Sequence, residues 1–240
     1  MTAYVFDIEA DGLEPTKIFC LVAMDTETGK AYEYGPDCID KGIELLQKAD
    51  KLVGHNILGY DIPVIKRLHG VDLDDGSISI VDTLVLSRLF NPTREGGHGL
   101  EGWGYRLRHR KIEYDNFEYY TPEMLAYCRQ DVSLNYKVYR HLSRTEAAGF
   151  SPTSVKLEHD VYRILNAQRE RGFKLNQQHA MELLAELNEK ISRAEAFDKG
   201  YWTTERKTAM VKAILSGKSS TAAAANAYGV PQGELETWLR

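Results

Sequence analysis

The chain has 240 residues, 43% of them hydrophobic and 27% charged, with a formal net charge of −5. That apolar content can fill one full core with residues left for a smaller unit, while the negative balance gives no general attraction for nucleic acid, so any such binding must come from local basic patches. Cys20, Cys38 and Cys128, odd in number and far apart, exclude a zinc cluster of familiar spacing and fit reduced thiols.

No apolar run approaches the roughly 20 residues of a membrane span, and no basic-then-apolar signal segment opens the chain. The expectation is a soluble cytoplasmic protein without membrane partners, in the host cytoplasm if the source is viral. Tyr4 to Leu13 reads as a buried strand, apolar except at two acids, Asp7 and Glu9. Strand side chains alternate faces, so these carboxylates emerge side by side. Like charges held that close on a buried strand need a positive partner, and a divalent cation is the usual one. Taken alone, the pair also fits the solvent-facing edge of a sheet; further acids decide, and Asp61 and Asp131 are the relevant ones.

Lys17 to Met24 and Lys30 to Tyr34 read as a second and third strand joined by a turn at Thr26 to Gly29. Asp40 to Ala49 has helical spacing, and Lys51 to Gly54 is a short strand leading into His55-Asn56. A helix opens at Asp61, read as its cap, with Pro63 in the first turn. Ser77 to Val81 is a strand and Asp82 to Leu89 a helix, so strands and helices alternate in a mixed α/β domain. Between Arg88 and Lys111, six basic residues (Arg88, Arg94, Arg106, Arg108, Arg110, Lys111) face two acids (Glu95, Glu101). This stretch fits a phosphate-contacting surface or a solvated helix face. Glycines 96, 97 and 99 suggest a mobile loop. Thr121-Pro122-Glu123 starts a helix running to about Ala147, on which Tyr127 and Asp131 lie one turn apart on one face.

Asp7-Ile8-Glu9, His55 to Asp61 and Tyr127-x-x-x-Asp131 together resemble the three motifs of DEDDy-type 3′-to-5′ exonucleases. More narrowly, Asp82 to Leu89 and Leu100 to Leu107 resemble the proofreading domain of phage family A DNA polymerases. The resemblance implies an RNase H-like (DnaQ-like) mixed-sheet exonuclease domain and a pair of divalent ions, Mg2+ or Mn2+. Four carboxylates can hold such a pair, and oxygen ligands favour these ions over zinc. By the same resemblance Asp7 bridges both ions, Glu9 and Asp131 complete the site that activates water, Asp61 serves the second ion, and Tyr127 orients the attacking water. A phenol with an unperturbed pKa of about 10 is an unlikely base at neutral pH. A sister branch has histidine five residues before the last acid; Ala126 there indicates the tyrosine type. Leu13 resembles the residue that wedges against the terminal base and Asn56 the one that contacts the terminal nucleotide; core packing and a turn-forming amide are their bland alternatives. Arg106 and Arg108 are the candidate phosphate contacts in the basic stretch, and His55 reads as structural.

The expected division is an exonuclease domain at 1–149, a helical pair at 150–197 resembling the start of a polymerase thumb, and a module at 198–240. In the pair, Val155, Val161, Ile164 and Leu165 form one apolar stripe and Ala180, Leu183, Leu184, Leu187 and Ile191 the next. No polymerase motif follows. From Tyr201 the pattern resembles a helix-turn-helix, with helices at Arg206 to Leu215, Thr221 to Tyr228 and Pro231 to Leu239. Five basic residues (Arg206, Lys207, Lys212, Lys218, Arg240) against three acids there fit a DNA-binding or a protein-docking module about equally. The expected activity is exonucleolytic hydrolysis of single-stranded or frayed DNA 3′ ends, in phage replication, proofreading or nucleotide turnover, with a DNA polymerase or another replication protein as a partner of 150–240. The alternatives are a regulatory subunit that keeps the nuclease fold as scaffold for binding DNA or a polymerase, and the exonuclease half of a split polymerase.

Overall fold

The computed structural model describes residues 1–201 and 203–239, the side chains of 195–201 excepted. Two compact units result, 1–172 and 173–240.

The first unit is built on a sheet in the order β3-β2-β1-β4-β5, from β1 (Ala3–Ala10), β2 (Ile18–Asp25), β3 (Ala31–Tyr34), β4 (Lys51–Gly54) and β5 (Ser79–Asp82). The first three strands form an antiparallel meander, and β4 and β5 run parallel to β1. The turn after β2 is held by Asp25, whose Oδ1 accepts from the amides of Glu27 and Thr28 at 2.8 Å each. Alternation along β1 sorts its side chains between two cores. Phe6 and Ile8 join Leu21 and pack with Ile43 and Leu46 of α1 (Ile39–Gln47) and Ile62 and Ile65 of α2 (Asp61–His69). Val5 faces the other way, with Val22, Val53 and with Met124, Cys128 and Val132 of α5 (Pro122–His141). Asp7 and Glu9 share the parity of Val5, so β1 delivers them to the α5 side.

β4 runs into the His55 loop through Gly54, where a Cβ would lie 1.9 Å from Ile57 Cγ2. Gly54→Ala should therefore lower the stability by roughly 2 kcal/mol, in the range of core overpacking, seen as a lower denaturant midpoint at unchanged m-value.

α3 (Thr83–Phe90) is capped by Asp82, and α4 (Leu100–Arg106) buries Trp103 against Leu86, Leu134 and Val138. The helix expected from Thr121 to about Ala147 is α-helical only to His141 and closes with a wider turn at Leu142–Glu146. That turn sets Glu146 against Arg94 and against His141 Nε2 at 3.0 Å.

The first unit also includes α6 (Pro152–Arg171), so the boundary expected after residue 149 falls after Gly172. Polar side chains attach this helix. His159 is buried, its Nε2 accepting from the Asp82 amide at 2.9 Å, and Asn166 Nδ2 donates to Leu58 O at 3.0 Å. Of the apolar stripe expected here, Val155 packs inward while Val161, Ile164 and Leu165 are exposed.

In the second unit α7 (Gln177–Tyr201) runs through the division expected at 197/198, and Met181, Leu183, Leu184, Leu187 and Ile191 are exposed on it. α8 (Thr204–Leu215), α9 (Thr221–Tyr228) and α10 (Gln232–Trp238) surround a small core of Met210, Ala224, Val230 and Leu235. Gly229 at φ 64° turns the chain between α9 and α10. Arg240, counted in the charge balance above, lies outside the described residues. Among the described residues no helix is long and apolar enough to cross a membrane.

Candidate active site

Three distant segments deliver four acids to one place. β1 supplies Asp7 and Glu9, and the start of α2 supplies Asp61, which is not the cap of that helix as its position suggested. Its Oδ1 instead accepts from the amide of Ile8 at 3.1 Å, which ties it to the strand between the other two. α5 supplies buried Asp131 and, one turn earlier, Tyr127. Cys128 of the same helix reaches the strand, with Sγ 3.5 Å from the carbonyl of Asp7. Ligand atoms of Asp7, Glu9 and Cys128 all lie within 4.8 Å of one another.

The acids disturb one another as like charges out of water must. Burial, then Asp61, Glu9 and Asp131, holds the Asp7 carboxyl well above its ordinary value. Burial, then Asp131 and Asp61, pushes Glu9 up to about 8, and burial pushes Asp61 up to about 7 despite the Ile8 hydrogen bond. Burial raises Asp131 as well, against the pull of Lys111. Such a group ionises together only with added positive charge.

Part of that charge is Lys111. Its Nζ lies 2.5 Å from Asp131 Oδ2 and donates to the Tyr127 hydroxyl at 2.9 Å. The segment carrying it is fastened to α5 by Gln130, whose Nε2 donates to Arg110 O at 2.5 Å and whose Oε1 accepts from the Ile112 amide. Burial works against the Lys111 charge, but Asp131 and Tyr127 outweigh it and raise its pKa, so it stays an ammonium. Burial likewise raises the Tyr127 phenol, which keeps its proton near neutrality. Asp131 Oδ1 is buried without a hydrogen-bond partner. An acceptor in that state, amid carboxylates of raised pKa, fits a bound hard cation.

Nothing in the residue pattern separates Lys111 from Arg108 and Arg110, because its link to Asp131 is made by a loop with no periodicity to read. Gln130 was equally silent, although its place beside Asp131 in Tyr127-Cys128-Arg129-Gln130-Asp131 was visible.

The expected nucleic-acid residues divide. Leu13 is 91% exposed, just past Gly12, whose carbonyl accepts from Tyr60 OH at 2.5 Å. Asn56 adopts φ 66°, and its Oδ1 accepts from Tyr162 OH of α6 at 2.6 Å. Gly59 must stay small there, since a Cβ would lie 2.5 Å from that same oxygen. Buried Asp82 shapes the loop by accepting from the amides of Asn56 at 2.9 Å and Leu58 at 3.1 Å. Arg108 is exposed, at φ 52°. Arg106 requires a correction: its guanidinium donates to the carbonyls of Glu95 and Gly97, at 2.7 Å for the latter, and lies over Trp103. It fastens the glycine loop, which is thus held rather than free, and does not present itself to a phosphate. His55 shares its Nδ1 with Thr83 Oγ1 at 2.9 Å, and burial pushes its pKa down to about 3, so it is a neutral structural ring.

No protein-family model matches the chain. It is similar to the DNA-directed DNA polymerases of Enterobacteria phage T3 and Escherichia phage T7, 28% identical over 244 residues in each case, covering 76% of this chain. The match spans only 35% of the length of either polymerase. Among solved structures, Brucella melitensis NrnC bound to pGG aligns with a TM-score of 0.50 at 16% identity, over 69% of this chain and 81% of that one. The fold is RNase H-like, a mixed five-stranded sheet with helices on both faces, followed by a helical portion.

Proposed function

We propose that the chain is a metal-dependent 3′-to-5′ exonuclease that removes nucleoside monophosphates from single-stranded or frayed DNA ends. The observation that carries this reading is the convergence of Asp7, Glu9, Asp61 and Asp131, with Asp131 Oδ1 buried and unpartnered. Similarity to two phage DNA polymerases supports it.

Asp7, Glu9, Asp61 and Asp131 would hold two divalent ions, Mg2+ or Mn2+. Bound there, such ions supply a hydroxide near neutral pH and stabilise the leaving 3′ oxygen. The chain's own groups do the rest. Tyr127 accepts from Lys111, so its own proton is left to donate to the attacking water and orient it. Asn56, held through Oδ1 by Tyr162, keeps its Nδ2 for the terminal nucleotide. Exposed Leu13 wedges against the terminal base. The helices of 173–240 add a second source of affinity, for DNA or for a replication protein, which raises the effective concentration of ends.

A 3′-labelled oligonucleotide incubated with the protein and Mn2+ should lose its label as mononucleotide, and a blocked 3′ end should protect it. No release, or equal release by Asp7→Ala, would refute the proposal. Lys111→Met should lower kcat by about 10²-fold, the scale of a misplaced reacting group, with KM for the oligonucleotide little changed. Steady-state kinetics at saturating Mn2+ measure both.

A further inference from the structure

Beside the acids lies a cleft of about 540 Å³, walled by Tyr105, Arg110, Lys111, Tyr114 and Tyr127. Two of these, Lys111 and Tyr127, also belong to the site above. Tyr105, in the last turn of α4, is 61% exposed, and the Arg110 guanidinium lies over its ring at 5.3 Å. Tyr114 leans on Tyr127 at a centroid distance of 5.5 Å and an interplanar angle of 31°. The Gln130 clamp on residues 110 and 112 fixes these walls relative to Asp131.

Size, shape and charge together select the occupant. The volume is within the roughly 300–1,000 Å³ of small-molecule sites, enough for one nucleoside and too little for a duplex. An exposed ring backed by a guanidinium, as Tyr105 is by Arg110, is a stacking surface for a planar base. Glu101, Glu113 and Asp115 border the cleft together with Arg110 and Lys111, and their carboxylates offer acceptors to the exocyclic amines of adenine, cytosine and guanine. We infer that the cleft is a subsite for one unpaired nucleobase adjoining the scissile phosphodiester, stacked on Tyr105, and that it gives the preference for single strands. This rests on the exonuclease reading and adds a binding determinant to it.

The test is a thermodynamic cycle, with binding read by fluorescence anisotropy on the Asp7→Asn protein so that the strand stays intact. Single-stranded oligonucleotides carry an abasic residue at each of the last four 3′ positions in turn. At one position base removal should weaken binding about tenfold, the scale of one stacked base. In Asp7→Asn/Tyr105→Ala the same removal should cost nothing further, whereas Asp7→Asn/Tyr105→Phe should behave as the parent. Additive losses at every position, or no loss at any, would overturn the inference. Because binding is measured without turnover, that failure is separate from a failure to release mononucleotides.

Discussion

Asp7→Asn should lower the hydrolysis rate by about a thousandfold or more, the several kcal/mol expected when a metal-holding carboxylate is lost, and should raise the melting temperature of the metal-free protein. Both effects follow from one crowded place. Asp7 feels burial first and then each of the other three acids, so its charge is the most strongly opposed. Asparagine keeps the shape and removes the cost of holding in the folded state a carboxyl that ionises freely in the unfolded chain. Relief equal to one pKa unit is about 1.4 kcal/mol, which for a protein of this size is roughly 3–6 °C in Tm. Calorimetry in EDTA and a rate assay in Mn2+ measure the two sides. A variant that is inactive and also less stable would mean that the acids are not held against mutual repulsion.

The second large effect is on pH. Glu9 and Asp61 have folded-state pKa values of about 8 and about 7, above their unfolded values of 4.5 and 3.8. The folded state therefore binds more protons than the unfolded state over that interval, and stability falls as pH rises. The contribution is complete below about pH 4 and is lost as pH passes through 7 and 8. Melting temperature in EDTA should decline steadily from pH 5 to 9. Mg2+ or Mn2+ should flatten the decline, because a bound cation favours the ionised carboxylates, and metal affinity should itself rise with pH as protons are displaced. A flat profile in EDTA would contradict the raised values. Lys111 limits the fall, since it stays charged beside Asp131 throughout this range.

How much of this was readable in advance depended on whether a residue's role is set by local periodicity. Asp7 and Glu9 were legible because strand alternation alone puts them on one face, and Tyr127 with Asp131 because helical spacing does the same. Asp61 was legible as a residue at a helix start, yet its partner, the Ile8 amide, is 53 positions away. Lys111 and Gln130 meet through an irregular segment, where spacing carries no geometric information. Arg106 was misread because charge counts ignore carbonyls, and two carbonyls of the glycine loop take its guanidinium. α6 was misread for the complementary reason. Apolar spacing marks Ile164 and Leu165 as the inward face, but hydrogen-bonded His159, Tyr162 and Asn166 make the attachment.

That attachment limits how the protein can be trimmed. Tyr162, Asn166 and Arg169 grip the turn around Asn56 from outside, at its side-chain oxygen and at the carbonyls of Leu58 and Gly59. An excised fragment ending at residue 149 would keep every acid and lose the splint behind the turn that presents Asn56. Its amides at 54–59 should exchange with solvent faster than in the full chain, and its grip on a 3′ end should slacken before its chemistry fails.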